Sequence, residues 1–304
     1  MPHPAWPALP LDEWQPSYAT LHRWTQMIGK LRTRLCPPVN HWWHSSLRFS
    51  ARGLTTTPMP IGDYRQLEII LDFVTHELRL QTRDGEARTI ALAPRSVAQF
   101  YELLFVELRS LGVETSIWPM PVEIADPIRF DQDQQHHSYD SEAVGRMWSI
   151  LTGVHEVFSR SRADFLGKCS PVQFFWGAFD VALTRFSGRR NPTPPPDPLM
   201  REAYSHEVIS HGFWFGGEWP NGARVEHPVF YAYAVPQPDG FANAAIEPAA
   251  ARYEPDFGEF MLPYQAVREA DDPAADILAF IRSTYDAGAT LGRWDRGSLE
   301  RDRC

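Results

Sequence analysis

The chain has 304 residues, enough for one large or two ordinary structural units and for a core that needs no disulfide or metal staple. Apolar residues make up 43% and charged residues 22%, and no run of about 18 consecutive apolar residues occurs, which argues against a disordered, collagen-like or membrane-spanning chain. The net charge of −9 comes without a lysine- or arginine-rich stripe, so the counterion release that drives nucleic-acid binding has no source.

Residues 1–16 are rich in Pro and Trp and suit an extended or packed arm. From Ser17 to Leu35 the apolar spacing (Leu21, Trp24, Ile28, Leu31, Leu35) predicts a helix with Ser17 as N-cap, ended by Pro37-Pro38. Val39 to Leu54 reads as an aromatic strand. Leu67, Ile69, Leu71 and Phe73 alternate, as do Leu78, Leu80 and Thr82, and Asp84-Gly85 turns the chain before Thr89 to Leu92, giving an antiparallel meander. Ser96 with Gln99 forms a capping box that opens a helix through Val97, Phe100, Leu104, Leu108 and Leu111, stopping at Gly112 and covering the meander. Pro119 to Pro127 and the acidic run Asp131 to Asp140 make a connector. A helix follows from Ser141 to about Leu166, then an aromatic strand from Val172 to Phe186. The proline-rich run 191–198 is a loop, because each proline removes a donor and restricts its predecessor. Val208–Phe215, Val229–Val235 and Glu259–Leu262 are further strands. Asp272 with Pro273 opens a last helix (Ile277, Phe280, Ile281, Tyr285) that ends near Gly288.

The two halves resemble each other. Cys36-Pro37-Pro38-Val39-Asn40-His41-Trp42-Trp43 aligns without gaps to Cys169-Ser170-Pro171-Val172-Gln173-Phe174-Phe175-Trp176, and at the same offset Arg52 falls on Arg185. The expected fold is therefore α+β: two similar, mainly antiparallel sheet-plus-helix units, residues 1–130 and 131–304, related by internal duplication and packed into one body. The default site is the seam between them.

Of the 29 basic residues only Lys30 and Lys168 are lysine. A compact ammonium whose pKa falls on burial suits anion contact, proton transfer or imine chemistry, although two leftover helix-end cations would look the same. His206-Glu207 with His211 does not have metalloprotease spacing, since zinc ligands on one helical face need four-residue separation. In a strand, Glu207 and His211 lie about 13 Å apart on one face, too far to share a metal. His206 and Glu207 fit an acid/base and its carboxylate partner, or a structural role. His41 and His44 point to opposite faces of a strand, so a metal site would have to be assembled across strands. His136-His137 among Asp131, Asp133 and Asp140 reads as a solvated connector or a weak cation site. Asn40/Gln173, Trp43/Trp176 and Arg52/Arg185 recur as paired features, and arginine with aromatics suits a planar anionic ligand. Lys168 beside Cys169 would favour its thiolate, the alternative being a small buried thiol. Cys36, Cys169 and Cys304 form a sparse, odd set that fits reduced thiols, and the first residues, Met1 to Trp6, carry no signal-peptide pattern, so a cytoplasmic location is expected. No serine-hydrolase, dinucleotide or P-loop motif is present.

The stretches Trp14 to Lys30, Val39-Asn-His-Trp-Trp43, Ala51 to Thr55, Ile117-Trp-Pro-Met-Pro-Val122, Phe165 to Pro171, Phe174-Phe-Trp-Gly177, Thr184 to Arg189, Tyr204 to Glu207 and Gly212-Phe-Trp214 resemble a bacterial domain-of-unknown-function family, number 5996. The resemblance covers nearly the whole chain and implies one full-length unit without an assigned activity. His44 and His211 stand outside its pattern, which weakens a metal site built on them.

The sequence-based expectation is a small-molecule enzyme acting on an anionic or aromatic substrate at the seam. His206, Glu207 and Lys168 supply the chemistry, and Asn40, His41, Trp43, Arg52, Gln173, Trp176, Arg185 and Tyr204 bind the substrate. The alternatives are a non-catalytic ligand-binding or interaction protein and a cross-strand His/Glu metalloenzyme. The cofactor is left open by the sequence, and neither nucleic acid nor membrane is expected as a partner.

Overall fold

The computed structural model describes residues 6–301 except 219–221 and 223, so the readings on Met1–Ala5 and Cys304 lie outside the described residues. Helix α1 (Leu11–Leu35) starts six residues ahead of Ser17, because Leu11 and Trp14 continue the buried stripe of Tyr18, Leu21 and Ile28. Pro16 in the second turn removes one backbone donor without ending the helix. Ser17 caps nothing in α1; its hydroxyl accepts the Asp140 amide at 2.8 Å and so ties the connector to α1.

The segment expected as one aromatic strand is instead a 3₁₀ turn (Asn40–Trp42) followed by the short strands β1 (Arg48–Phe49) and β2 (Gly53–Thr55). Side-chain capture overrides β propensity here: His41 is held by two backbone carbonyls from the other half of the chain, and its φ is 58°. With β3 (Met59–Pro60), β4 (Gln66–Asp72), β5 (Glu77–Thr82) and β6 (Ala87–Ala91) these strands form an antiparallel sheet of order β1-β2-β4-β5-β6, β3 pairing with β4. Its register sets Ile69 opposite Leu80 and Leu71 opposite Leu78, the predicted meander. Helix α2 (Val97–Ser110) has both bonds of the Ser96/Gln99 capping box and lays Val97, Phe100, Leu104 and Leu108 inward. Trp24 of α1 stacks on Phe100 at 4.5 Å.

After the connector, α3 (Ser141–Arg162) leads to the hairpin of β7 (Gln173–Phe175) and β8 (Asp180–Arg190). At the end of the predicted loop 191–198 a short helix, α4 (Pro198–Ala203), begins, capped by the Asp197 carboxylate. Then come β9 (His206–Trp214), β10 (Gly217–Glu218), β11 (Arg224–Val225), β12 (Val229–Val235), β13 (Arg252–Glu254), β14 (Glu259–Pro263), α5 (Tyr264–Arg268), α6 (Pro273–Leu291) and α7 (Arg296–Leu299). The second sheet has order β13-β14-β12-β9-β8-β7 and is antiparallel throughout. Helix α6 runs past Gly288 because that glycine serves close packing: a Cβ there would lie 2.8 Å from Ile209.

Pairing across the second sheet puts Val181, Phe213, Phe230 and Leu262 in one row and Leu183, His211, Ala232 and Phe260 in the next. That face packs under α3 and α6. The opposite face carries Asp180 and Trp214, then Ala182, Gly212 and Tyr231, then Thr184, Ser210, Tyr233 and Glu259. This polar face is turned toward the N-terminal half.

The α+β class of two antiparallel sheets with helices is present. The equivalence that a duplication requires is not found, since residues 36–52 form a 3₁₀ turn and short strands with Arg52 in a turn, whereas residues 169–185 form a hairpin with Arg185 inside β8. The two stretches pair with each other instead, through reciprocal backbone bonds between Leu47 and Phe174 at 2.9 and 3.0 Å. One hydrophobic cluster runs through both segments. Among the described residues no helix is long and apolar enough to cross a membrane.

Candidate functional site

A cleft of about 370 Å³ opens where α1, the connector and the polar face of the second sheet meet, with Tyr18, His22, Arg23, Glu123, His136 and Trp214 in its walls. Tyr18, His22 and Gln26 recur every four residues and so form one stripe of α1 directed at the second half. The Tyr18 hydroxyl donates to the Gly216 carbonyl at 3.3 Å.

On the connector side, Asp133 is fully buried and accepts four hydrogen bonds or ion pairs. They come from the Gln135 and His136 amides at 3.0 and 3.1 Å, from Arg23 Nε at 3.2 Å and from His136 Nδ1 at 2.8 Å. Because a carboxylate only accepts, Nδ1 carries the proton and Nε2 of His136 keeps its lone pair. Burial and then the Arg23 charge hold the His136 pKa below that of a free histidine, partly offset by Asp133. The ring stays neutral near pH 7, partly exposed at the cleft, in the state a general base needs.

The opposite wall is fixed by α1. Gln26 clamps Val122 twice, donating to its carbonyl at 2.8 Å and accepting its amide at 2.9 Å. His22 Nε2 donates to the Gly177 carbonyl at 2.7 Å and lies 3.1 Å from that of Trp176. Burial drives the His22 pKa down to about 4, so its ring is a neutral strut. Between these clamps Glu123 adopts φ 55°, in the left-handed region, and its carboxylate presses on Gly177, where a Cβ would lie 2.2 Å from Oε1. Glu123 is open to the cleft mouth, and the walls around its carboxyl displace the pKa upward through lost hydration, a modest effect at so open a position.

Behind Glu123 the polar face carries buried carboxyls. Burial pushes the Asp180 carboxyl up to about 7, with Glu123 adding repulsion, and Glu259 up to about 8, with Asp180 adding repulsion. The Tyr231 hydroxyl donates to Asp180, and the Tyr204 and Tyr233 hydroxyls pair at 2.9 Å. Gly212 lets the Tyr231 ring lie on β9, since a Cβ there would sit 1.9 Å from Cζ.

The sequence-predicted residues divide into two groups. Lys168, His41, Trp43 and His206 do come together, at the far end of the same polar face: Lys168 Nζ is 2.6 Å from His41 Nε2 and 5.5 Å from the Trp43 ring, and the His41 and His206 rings are 5.7 Å apart. The others are occupied or elsewhere. Arg52 pairs with Asp72 on the first sheet. Arg185 is buried on the opposite face of the second sheet, bonded to Ser161 and His211, so the two arginines do not form one anion site. The Gln173 side-chain oxygen is taken by Ser46 and Arg48. Trp176 donates to the Ser45 carbonyl and packs against Gly29, Asn40 is exposed, and Tyr204 is paired with Tyr233. Glu207 binds Ser187 and Arg189 and points away from His206, because adjacent strand residues face opposite sides, so it does not orient that histidine. Burial raises the Cys169 pKa, which removes the thiolate reading. Among the described residues no three His, Cys, Asp or Glu side chains cluster as a metal site would require.

Tyr18, His22, Arg23, Gln26, Glu123, Asp133 and Asp180 were missed as site residues. One signal was available: Thr20, His22, Arg23, Thr25 and Gln26 are polar residues inside a helix that is buried on nearly all sides. The Asp-x-x-His spacing of Asp133 and His136 was visible too, within a run read as connector.

Four of the stretches that carry the family resemblance, around Tyr18–Gln26, Val122, Gly177 and Trp214, supply walls and clamps of this cleft. No curated protein and no solved structure matches the chain. A family model matches residues 6–301, and the chain belongs to that family, the family of unknown function DUF5996.

Proposed function

We propose that the chain is a cytosolic small-molecule enzyme that moves protons in the seam cleft, with His136 as base and the Glu123 carboxyl as the second acid/base group opposite it. The observation that carries this reading is the buried Asp133 carboxylate holding a neutral, cleft-facing His136 at 2.8 Å, across from a carboxyl held on strained backbone. A carboxylate that fixes the tautomer of a histidine and stabilises its protonated form is a recurring arrangement in acid/base catalysis. Acid/base chemistry moves here from His206 and Glu207, because Glu207 is committed to Arg189. Substrate preference moves as well. Tyr18 and Trp214 supply ring surface, Arg23 is already paired, and the lining carboxyls Glu123, Asp126 and Glu218 outnumber the other lining cation, Arg224. These walls favour a neutral or cationic molecule with an aromatic or apolar body over an anion.

Native mass spectrometry of freshly purified protein, followed by thermal-shift screening of aromatic and amine metabolites, identifies the ligand. Its turnover, or solvent-hydrogen exchange at its acidic position, is then compared in His136→Gln and Glu123→Gln. The expected result is retained binding with a rate lower by about 10²–10⁴-fold. A ligand that binds the cleft and shows the same rates in both variants reduces the protein to a non-catalytic binder.

A further inference from the structure

We propose that Lys168 is a nucleophilic lysine that takes a 2-oxo acid as an imine, with His41 as the base that receives its proton. This is a second site, at the other end of the polar face, and it stands apart from the cleft chemistry.

The two lysines of the chain keep no carboxylate company: neither enters an ion pair among the described residues. Lys168 is exposed, its ammonium lies over the rings of Trp43 and Phe186 at 5.5 and 5.0 Å, and its nearest polar partner is His41 Nε2 at 2.6 Å. The histidine is built for that contact. His41 Nδ1 donates to the carbonyls of Glu202 and Ala203, at the C-terminal end of α4, at 3.2 and 3.1 Å. With Nδ1 protonated, Nε2 presents a lone pair to the lysine. The backbone is distorted to place the ring: His41 and Trp42 have φ 58° and 60°, a region non-glycine residues avoid. Beside the pair stands His206 on β9, its ring 5.7 Å from that of His41, and Arg190 on β8 lies close enough to His206 to act on it electrostatically. A surface cluster of Lys168, His41 and His206 against the Trp43 and Phe186 rings, with Arg190 beyond, offers an amine, a base and positive charge, and so fits a small carbonyl compound that bears a carboxylate.

The step balances without a further reactant. The ammonium gives one proton to His41 Nε2. The amine nitrogen forms a bond to the carbonyl carbon, and the π pair moves to oxygen. A proton passes from nitrogen to that oxygen, and the His41 imidazolium then protonates the hydroxyl, which leaves as water. Ammonium and carbonyl thus become protonated imine and water.

The experiment uses glyoxylate with cyanoborohydride, which reduces the imine to a stable secondary amine, and quantifies both lysines by peptide mapping. Lys30 is the internal reference, with a pKa lowered to about 8 by burial. Because the reactive form, neutral amine beside imidazolium, has the same proton count as ammonium beside imidazole, its population is independent of pH between the two pKa values of the pair. Between about pH 7.5 and about pH 6.5 the Lys30 amine fraction falls about eightfold, so the ratio of Lys168 to Lys30 labelling is expected to rise by close to that factor. His41→Gln, which keeps an acceptor and loses the base, is expected to slow Lys168 labelling at least about tenfold while Lys30 is unchanged. A ratio that stays constant with pH overturns the proposal, as does a folded His41→Gln protein that labels Lys168 at the wild-type rate. Should His41→Gln not fold, the wild-type pH comparison decides alone.

Discussion

Asp133→Asn tests whether the connector is a loose tether or the frame of the cleft. The wild-type carboxylate is entirely buried, neutralises Arg23 across 3.2 Å, and fixes His136 and two backbone amides. Asparagine preserves the shape but turns an NH₂ donor toward another donor and leaves the Arg23 charge, itself buried, without an anion. Removing one partner of a buried ion pair costs about 3–5 kcal/mol. Unfolding entropy of about 2.1 cal/mol/K per residue over 304 residues amounts to about 0.64 kcal/mol/K, so the melting temperature should fall by about 5–8 °C. Differential scanning calorimetry reads the shift, with Asp131→Asn as control, because the Asp131–Arg129 pair is surface-exposed and should move the melting point by less than about 1 °C. Nitrogen-15 spectra should also show His136 leaving its single Nδ1–H tautomer. A melting temperature within about 1 °C of wild type and an unchanged tautomer would refute the frame.

Three other outcomes follow from the same geometry. Glu259 holds its proton up to about pH 8 when folded and to its ordinary 4.5 when unfolded, so it destabilises the fold increasingly as pH rises between those values. In urea denaturation, Glu259→Gln should therefore gain on wild type from pH 5 to pH 8, and a pH-independent difference would contradict the assignment. His22 has the opposite sign, its pKa falling from 6.5 to about 4, so stability is lost as pH falls through that window, and His22→Gln should flatten the acid limb of the melting-temperature profile. Gly177→Ala places a Cβ 2.2 Å from Glu123 Oε1, the free end of an exposed side chain that can swing aside, so it should cost less than about 1 kcal/mol in chemical denaturation while displacing that carboxylate from the cleft wall; a loss of several kcal/mol would show that the carboxylate cannot move.

The fold was legible where local chemistry and tertiary packing agree. The meander, the Ser96/Gln99 box, the Asp272-Pro273 helix start and the central strands of the second sheet all combine strong periodicity with their own end signals. It was not legible where a distant partner decides. His41 and Trp42 look like strand residues, yet α4, far along the chain, captures His41 and turns the backbone into the left-handed region. The apparent repeat around Cys36 and Cys169 misled for a related reason: similar aromatic stretches paired with each other at Leu47 and Phe174, where a duplication would have made them equivalent.

The site divides along the same line. Lys168, His41, Trp43 and His206 were visible because each is unusual for its surroundings in composition or pattern, and the structure gathers them. The cleft residues were not, because none of them is unusual alone: His136 sits in an acidic polar run, Glu123 among prolines, and His22 in a helix whose apolar spacing explains its existence. What makes them a site is the set of clamps from α1, Gln26 to Val122 and His22 to Gly177, joining three segments that no local pattern links. Both sites lie on the polar face of one sheet, while its other face is buried under α3 and α6. A strand pattern read in isolation shows only that alternate residues are polar. An ordinary solvent-facing sheet needs charged residues there; this one carries tyrosines, a glycine and carboxyls whose pKa values are raised by burial, beneath a second body that leaves a gap. Polar residues covered by protein are costly unless hydrogen-bonded or used, and this cost is the physical reason why the proposed chemistry is assigned to that face.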